Sequence, residues 1–75
     1  MLQKKSVTLA GHETSLALEA EFWAVLQAMA ASRDLSLAAL IRDIDETRGA
    51  RALASACRVT ALMWAGRGAD SAAQL

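Results

Sequence analysis

Seventy-five residues, 55% of them hydrophobic and 21% charged, point to one small domain spanning 1–75, with eight Lys and Arg balanced by eight Asp and Glu. A core of this size rarely supplies more than about 3–5 kcal/mol on its own, and one cysteine (Cys57) with one histidine (His12) provides neither an internal disulfide nor a four-ligand zinc site. A disulfide scaffold and a metal-built domain are thereby excluded, oligomerisation is the expected stabiliser, and zero net charge argues against broad attraction to nucleic acid.

No stretch approaches the roughly 20 apolar residues that span a bilayer, so no membrane partner is expected. Met1-Leu2-Gln3-Lys4-Lys5-Ser6-Val7-Thr8 lacks the apolar run of a signal peptide. A lone thiol suits a reducing compartment, and the expected location is the cytoplasm. Charge is unevenly spread: residues 1–48 carry five basic and seven acidic side chains, and residues 49–75 carry three and one.

Ser6-Val7-Thr8-Leu9 and Thr14-Ser15-Leu16-Ala17-Leu18 alternate polar with apolar residues. That period predicts half-buried strands at about 6–9 and 14–18, separated by Ala10-Gly11-His12-Glu13, where Gly11 supplies a turn. From Glu19 the period lengthens. Phe22, Val25, Leu26, Met29 and Ala30 share one face of a helix at about 20–33, with alanines filling the gaps. Ser36 reads as an N-cap for a second helix at about 37–48, striped by Leu37, Leu40, Ile41 and Ile44. Gly49 fits its C-terminal end. A third amphipathic helix follows at about 51–65, with Leu53, Cys57, Val59, Leu62, Met63 and Trp64, and 66–75 reads as a frayed tail.

Strand, helix, short turn and helix, in that order, resemble the ribbon-helix-helix superfamily of Arc, MetJ and CopG-like repressors. Residues 14–26 resemble its ribbon and first helix, and Asp34-Leu35-Ser36-Leu37-Ala38-Ala39-Leu40-Ile41 its inter-helix turn and second helix. Lys5-Ser6-Val7-Thr8-Leu9, Gly11-His12-Glu13-Thr14-Ser15 and Phe22-Trp23 are similar to a bacterial subfamily with an extended N-terminus and a third helix. The resemblance implies a mainly α fold with a short β-ribbon, built as an intertwined homodimer. Two ribbons would pair across a two-fold axis, placing Leu16, Leu18, Phe22, Leu26, Met29, Leu40, Ile41 and Ile44 in a shared core.

It also implies double-stranded DNA as a partner, the ribbon entering the major groove. Alternation puts Glu13, Ser15 and Ala17 on the outward face. Ser36 and Leu37 would aim backbone amides at a phosphate, and Lys4 and Lys5 would add backbone contacts. Of the outward residues, Ser15 can donate or accept and Glu13 can accept from a cytosine amine, but no Arg, Lys, Asn or Gln stands on the ribbon to make a bidentate base pair. A further expectation concerns width. If Ser6–Leu9 folds back along Thr14–Leu18, with Val7 opposite Leu16, the dimer presents four strands, too wide for a groove that takes two.

Bland readings compete with sharp ones. His12 reads as a turn residue, Cys57 as a small buried hydrophobe, and Trp23 and Trp64 as packing residues before partner anchors. Asp43, Asp45 and Glu46 with Arg42 and Arg48 read as a solvated face with local ion pairs. Ser36 stays open between helix cap and phosphate clamp. Nothing supplies a nucleophile with its base, so no catalysis and no cofactor are expected. Two functions remain: a dimeric DNA-binding transcriptional regulator, or a dimeric interaction module, antitoxin-like or adaptor, engaging a protein through its third helix.

Overall fold

A computed structural model describes the backbone of residues 1–73 and the side chains of residues 1–67. Two strands, β1 (Leu2–Leu9) and β2 (His12–Glu19), form an antiparallel hairpin, followed by α1 (Ala20–Ser32), α2 (Leu37–Thr47) and α3 (Leu53–Ala73). The mainly α ribbon-helix-helix architecture with an extra helix is therefore present. No single helix is long and apolar enough to cross a membrane among the described residues.

Both strands exceed the expected 6–9 and 14–18, and their register differs by two residues: Val7 lies opposite Thr14, and Leu16 opposite Lys5. The turn is the cause. Ala10 and Gly11 both have positive φ (51° and 82°), which is the two-residue turn whose twist matches paired strands. A loop of four residues at 10–13 would have given the expected pairing. Because the shift is even, the faces do not change. Val7, Leu9, Leu16 and Leu18 are buried on the inner face.

Polar residues carry β1 out to Leu2 because a tertiary contact holds them. The Trp23 indole Nε1 donates to the Gln3 carbonyl at 2.8 Å, and the Lys5 ammonium lies 5.5 Å from the Trp23 ring centroid. Trp23 is buried, so α1 turns Trp23, Leu26 and Ala30 to the core, while Phe22, Val25 and Met29 pack at its margin. All five residues of the face expected on α1 pack in or against the core, and Trp23 joins them. Alanine on every side leaves its stripe broad, and the indole takes the position where its N–H has an acceptor.

Each helix ends for a local reason. Leu35 N donates to Ala30 O at 2.9 Å and Asp34 N to Ala31 O at 3.1 Å, with Asp34 at φ 58°. This is a Schellman closure using aspartate in place of glycine. On the far side, Ser36 Oγ accepts from Ala39 N at 3.0 Å, so the cap predicted from sequence forms. Gly49, at φ 62°, follows the C-terminus of α2.

α3 begins two residues later than expected and continues to Ala73, so residues 66–73 are helical, not a frayed tail. Residues 74 and 75 lie outside the described residues. Loss of apolar periodicity after Trp64 marks the loss of a buried face; alanine-rich sequence without proline sustains the helix.

The core joins the inner face of the hairpin to Trp23, Leu26 and Ala30 of α1, Leu40, Ile41 and Ile44 of α2, and Ala56, Cys57 and Ala61 of α3. Six of the residues assigned from sequence to a shared dimer core (Leu16, Leu18, Leu26, Leu40, Ile41 and Ile44) are thus buried within one chain, and Phe22 and Met29 are partly buried. Within one chain, β1 and α3 add Val7, Leu9, Ala56, Cys57 and Ala61 to the residues expected in that core.

Candidate nucleic-acid interface

Strand alternation sorts the ribbon residues unambiguously. On the outer face, Thr8 lies opposite Glu13, Ser6 opposite Ser15, and Lys4 opposite Ala17. Lys4, Glu13 and Ser15 are exposed and Ala17 is half-buried. Lys5, grouped with Lys4 in the sequence reading, belongs to the other face, where it lies over Trp23. Adjacent strand residues cannot share a face, so only one of the two lysines accompanies Ser15. The outer face of one chain therefore offers Lys4 as its cation and Glu13 as its counter-charge.

Ser36 and Leu37 sit at the start of α2, in the helical layer. With its Oγ occupied by Ala39 N, Ser36 meets one of the orphan amides itself. Leu37 is half-buried against the core, so its contribution to any ligand is its backbone alone. Ser36→Ala is expected to cost about 1 kcal/mol through the lost cap, lowering Tm by about 4–8 °C for a domain of this size. Thermal melts followed by circular dichroism measure it.

Three of the six arginines with described side chains are held in ion pairs. Arg33 reaches Asp43 at 3.5 Å, Arg48 reaches Asp45 at 2.7 Å, and Arg58 reaches Glu19 at 2.9 Å. Arg58 also lies over the Phe22 ring at 5.9 Å. Its hydrogen bond is the main reason the Glu19 carboxyl titrates below its ordinary value of 4.5. A depressed carboxyl pKa stabilises the fold above the ordinary value, and that contribution is lost as pH falls through the lowered one.

Cys57 is fully buried on α3, and burial pushes its thiol up to about 11. At neutral pH it is a protonated, unreactive packing group. His12 is exposed at the first position of β2. Among the described residues, no group of three or more His, Cys, Asp or Glu is placed to hold a metal ion.

Val59, Leu62 and Met63 fall on the apolar stripe of the third helix and were expected to pack, yet all three are exposed, Leu62 at 67% and Met63 at 58%. Periodicity shows that a helix has an apolar face; it does not show what covers it.

A β-ribbon leading directly into two helices that meet at 98°, with a capped turn between them, defines a ribbon-helix-helix domain, here extended by α3. The chain belongs to that family: a ribbon-helix-helix domain model matches residues 2–65. Among curated proteins and solved structures, none matches it.

Proposed function

We propose that this protein is a homodimeric ribbon-helix-helix module that works by binding protein, and that its ribbon does not enter a DNA groove. The observation that carries this is the pairing of β1 along the whole length of β2. Two copies joined through β2 give four strands, about 14 Å between the outermost at the usual spacing, against a major groove of about 12 Å. Each strand edge would meet the phosphates before Ser15 reached a base.

Charge distinguishes the two edges of the hairpin. β1 carries Lys4 and Lys5 in mid-strand, whereas residues 14–18 of β2 carry none. Charged residues protect an edge from pairing, so β2 is the edge left to pair. No catalysis is part of this reading, and a reducing cytoplasm is the setting in which Cys57 stays a thiol.

A second reading, a DNA-binding transcriptional regulator, is favoured by membership in the family and by the exposed Lys4 and Ser15. Binding to random duplex DNA across a salt series separates the two. With one outer-face lysine per chain, the dimer is expected to show a slope of about −2 or shallower in log K against log salt. A slope of about −5 or steeper, or a protected footprint on one sequence, would reject the proposal in favour of the regulator.

A further inference from the structure

The exposed stretch of α3 lines two grooves. One, about 260 Å³, is lined by Met29, Val59, Thr60, Met63, Trp64 and Arg67. The other, about 150 Å³, shares Val59 and Thr60 and extends to Ile44, Arg48 and Arg51. Val59 and Thr60 line both, so the grooves adjoin at this ridge of α3, and ridges seated in grooves are how helices pack. The apolar content is high: Val59, Leu62 and Met63 are exposed on or beside this ridge.

Charge identifies the occupant. Among the described residues, no carboxylate lines either groove, whereas Arg48, Arg51 and Arg67 do. Arg48 is matched by Asp45 at 2.7 Å; Arg51 makes no ion pair among the described residues. A second copy docking through the same face would bring Arg51 and Arg67 against their own kind, and like charges across an interface oppose association. The geometry points to an amphipathic helix of a partner protein as the occupant, its apolar stripe seated on Val59, Met63 and Trp64 and its acidic residues near Arg51 and Arg67. Arg51 stands two positions before the start of α3 and Arg67 lies within it, so a partner helix lying along Leu53–Arg67, about 21 Å at the helical rise, runs from one toward the other. This deepens the protein-binding reading by giving the chemistry of the partner, and it uses a surface separate from the outer face of the sheet.

The test uses the intact protein and a labelled 18-residue helical peptide with leucines at i, i+3, i+4 and i+7 and glutamates at both ends. A second peptide has lysines in place of the glutamates. Fluorescence anisotropy at low salt is expected to show the glutamate peptide binding about tenfold or more tightly than the lysine peptide. The double variant Leu62→Ser/Met63→Ser is expected to lose about tenfold or more of that affinity, and Arg51→Glu/Arg67→Glu to reverse the preference between the peptides. Both variants change exposed side chains, and an unchanged melt confirms that they fold. Equal binding of the two peptides overturns the proposal. So does a fall in oligomer size on Leu62→Ser/Met63→Ser, which assigns the face to a second copy. A steep DNA salt slope with peptide selectivity intact would reject the function proposed above while leaving this site standing.

Discussion

Leu16→Lys is expected to abolish the cooperative thermal transition of the protein. Leu16 is 4% exposed on the inner face of β2, and its cross-strand neighbour is Lys5. The substitution removes a buried leucine, a loss of about 2–5 kcal/mol when the site is merely emptied. It also places an ammonium where desolvation costs several kcal/mol more unless a partner compensates. The facing group is another lysine, and like charges directly opposite across a ladder repel. Glu13 and Glu19, the acids of β2, alternate to the face opposite Leu16, and Glu19 already bonds Arg58. Total stability for 75 residues is about 4–11 kcal/mol, so the combined loss matches or exceeds it. Ser15→Lys, one residue away on the exposed face, is expected to stay within about 0.5 kcal/mol of the parent. A circular dichroism melt of the two variants reads the alternation directly. A sigmoidal transition retained by Leu16→Lys would mean that position 16 does not face the core.

The elements that sequence reasoning placed well are those whose information is local. Ser36 with Leu37, Leu40, Ile41 and Ile44 is a cap followed by a stripe, and the second helix lies at Leu37–Thr47 against an expected 37–48. Alternation likewise placed Glu13, Ser15 and Ala17 on the outer face, because a period of two admits no other arrangement once Leu16 and Leu18 point inward. What was not legible depends on partners distant in the chain. The N-terminal half of β1, Leu2-Gln3-Lys4-Lys5, has no apolar alternation; it is a strand because the ladder continues to Glu19 and Trp23 holds the Gln3 carbonyl. The two-residue turn was missed because its first residue is Ala10, and alanine at positive φ is uncommon. Lys5 was misassigned by treating Lys4-Lys5 as a charged pair when the strand period separates them. The exposed face of α3 was visible as a stripe from the start. Its lack of cover depends on where the other helices lie.

Ser15→Pro is expected to leave the chain folded while raising the dimer dissociation constant at least about thirtyfold. The turn sets which strand residues face β1 with their N–H groups. A two-residue turn closes on a hydrogen-bonded pair, which here is Leu9 with His12. Hydrogen-bonded and non-bonded pairs then alternate along the ladder, so Ser15, three steps on and opposite Ser6, turns its N–H away from β1. Proline is tolerated on an edge strand when its missing donor faces solvent, and Thr14 before it is already in the extended conformation that a following proline requires. In the proposed dimer that same N–H faces the second copy. Pairing β2 with itself about a two-fold, with both inner faces on one side, requires partner positions whose numbers sum to an even value. Centring the uncharged stretch 14–18 places Ser15 opposite Ala17 of the second copy. Two proline substitutions per dimer then remove two ladder hydrogen bonds, about 1 kcal/mol each in net terms, and the rings obstruct the approach of the facing strand. Sedimentation velocity over a concentration series measures the shift, and a melt on the same sample reports the fold. Because β1 and α3 cover Leu16 and Leu18 within one chain, the proline variant separates folding from assembly, which Leu16→Lys cannot do. An unchanged dissociation constant would move the interface away from the β2 edge, and with it the four-stranded sheet on which the case against groove insertion depends.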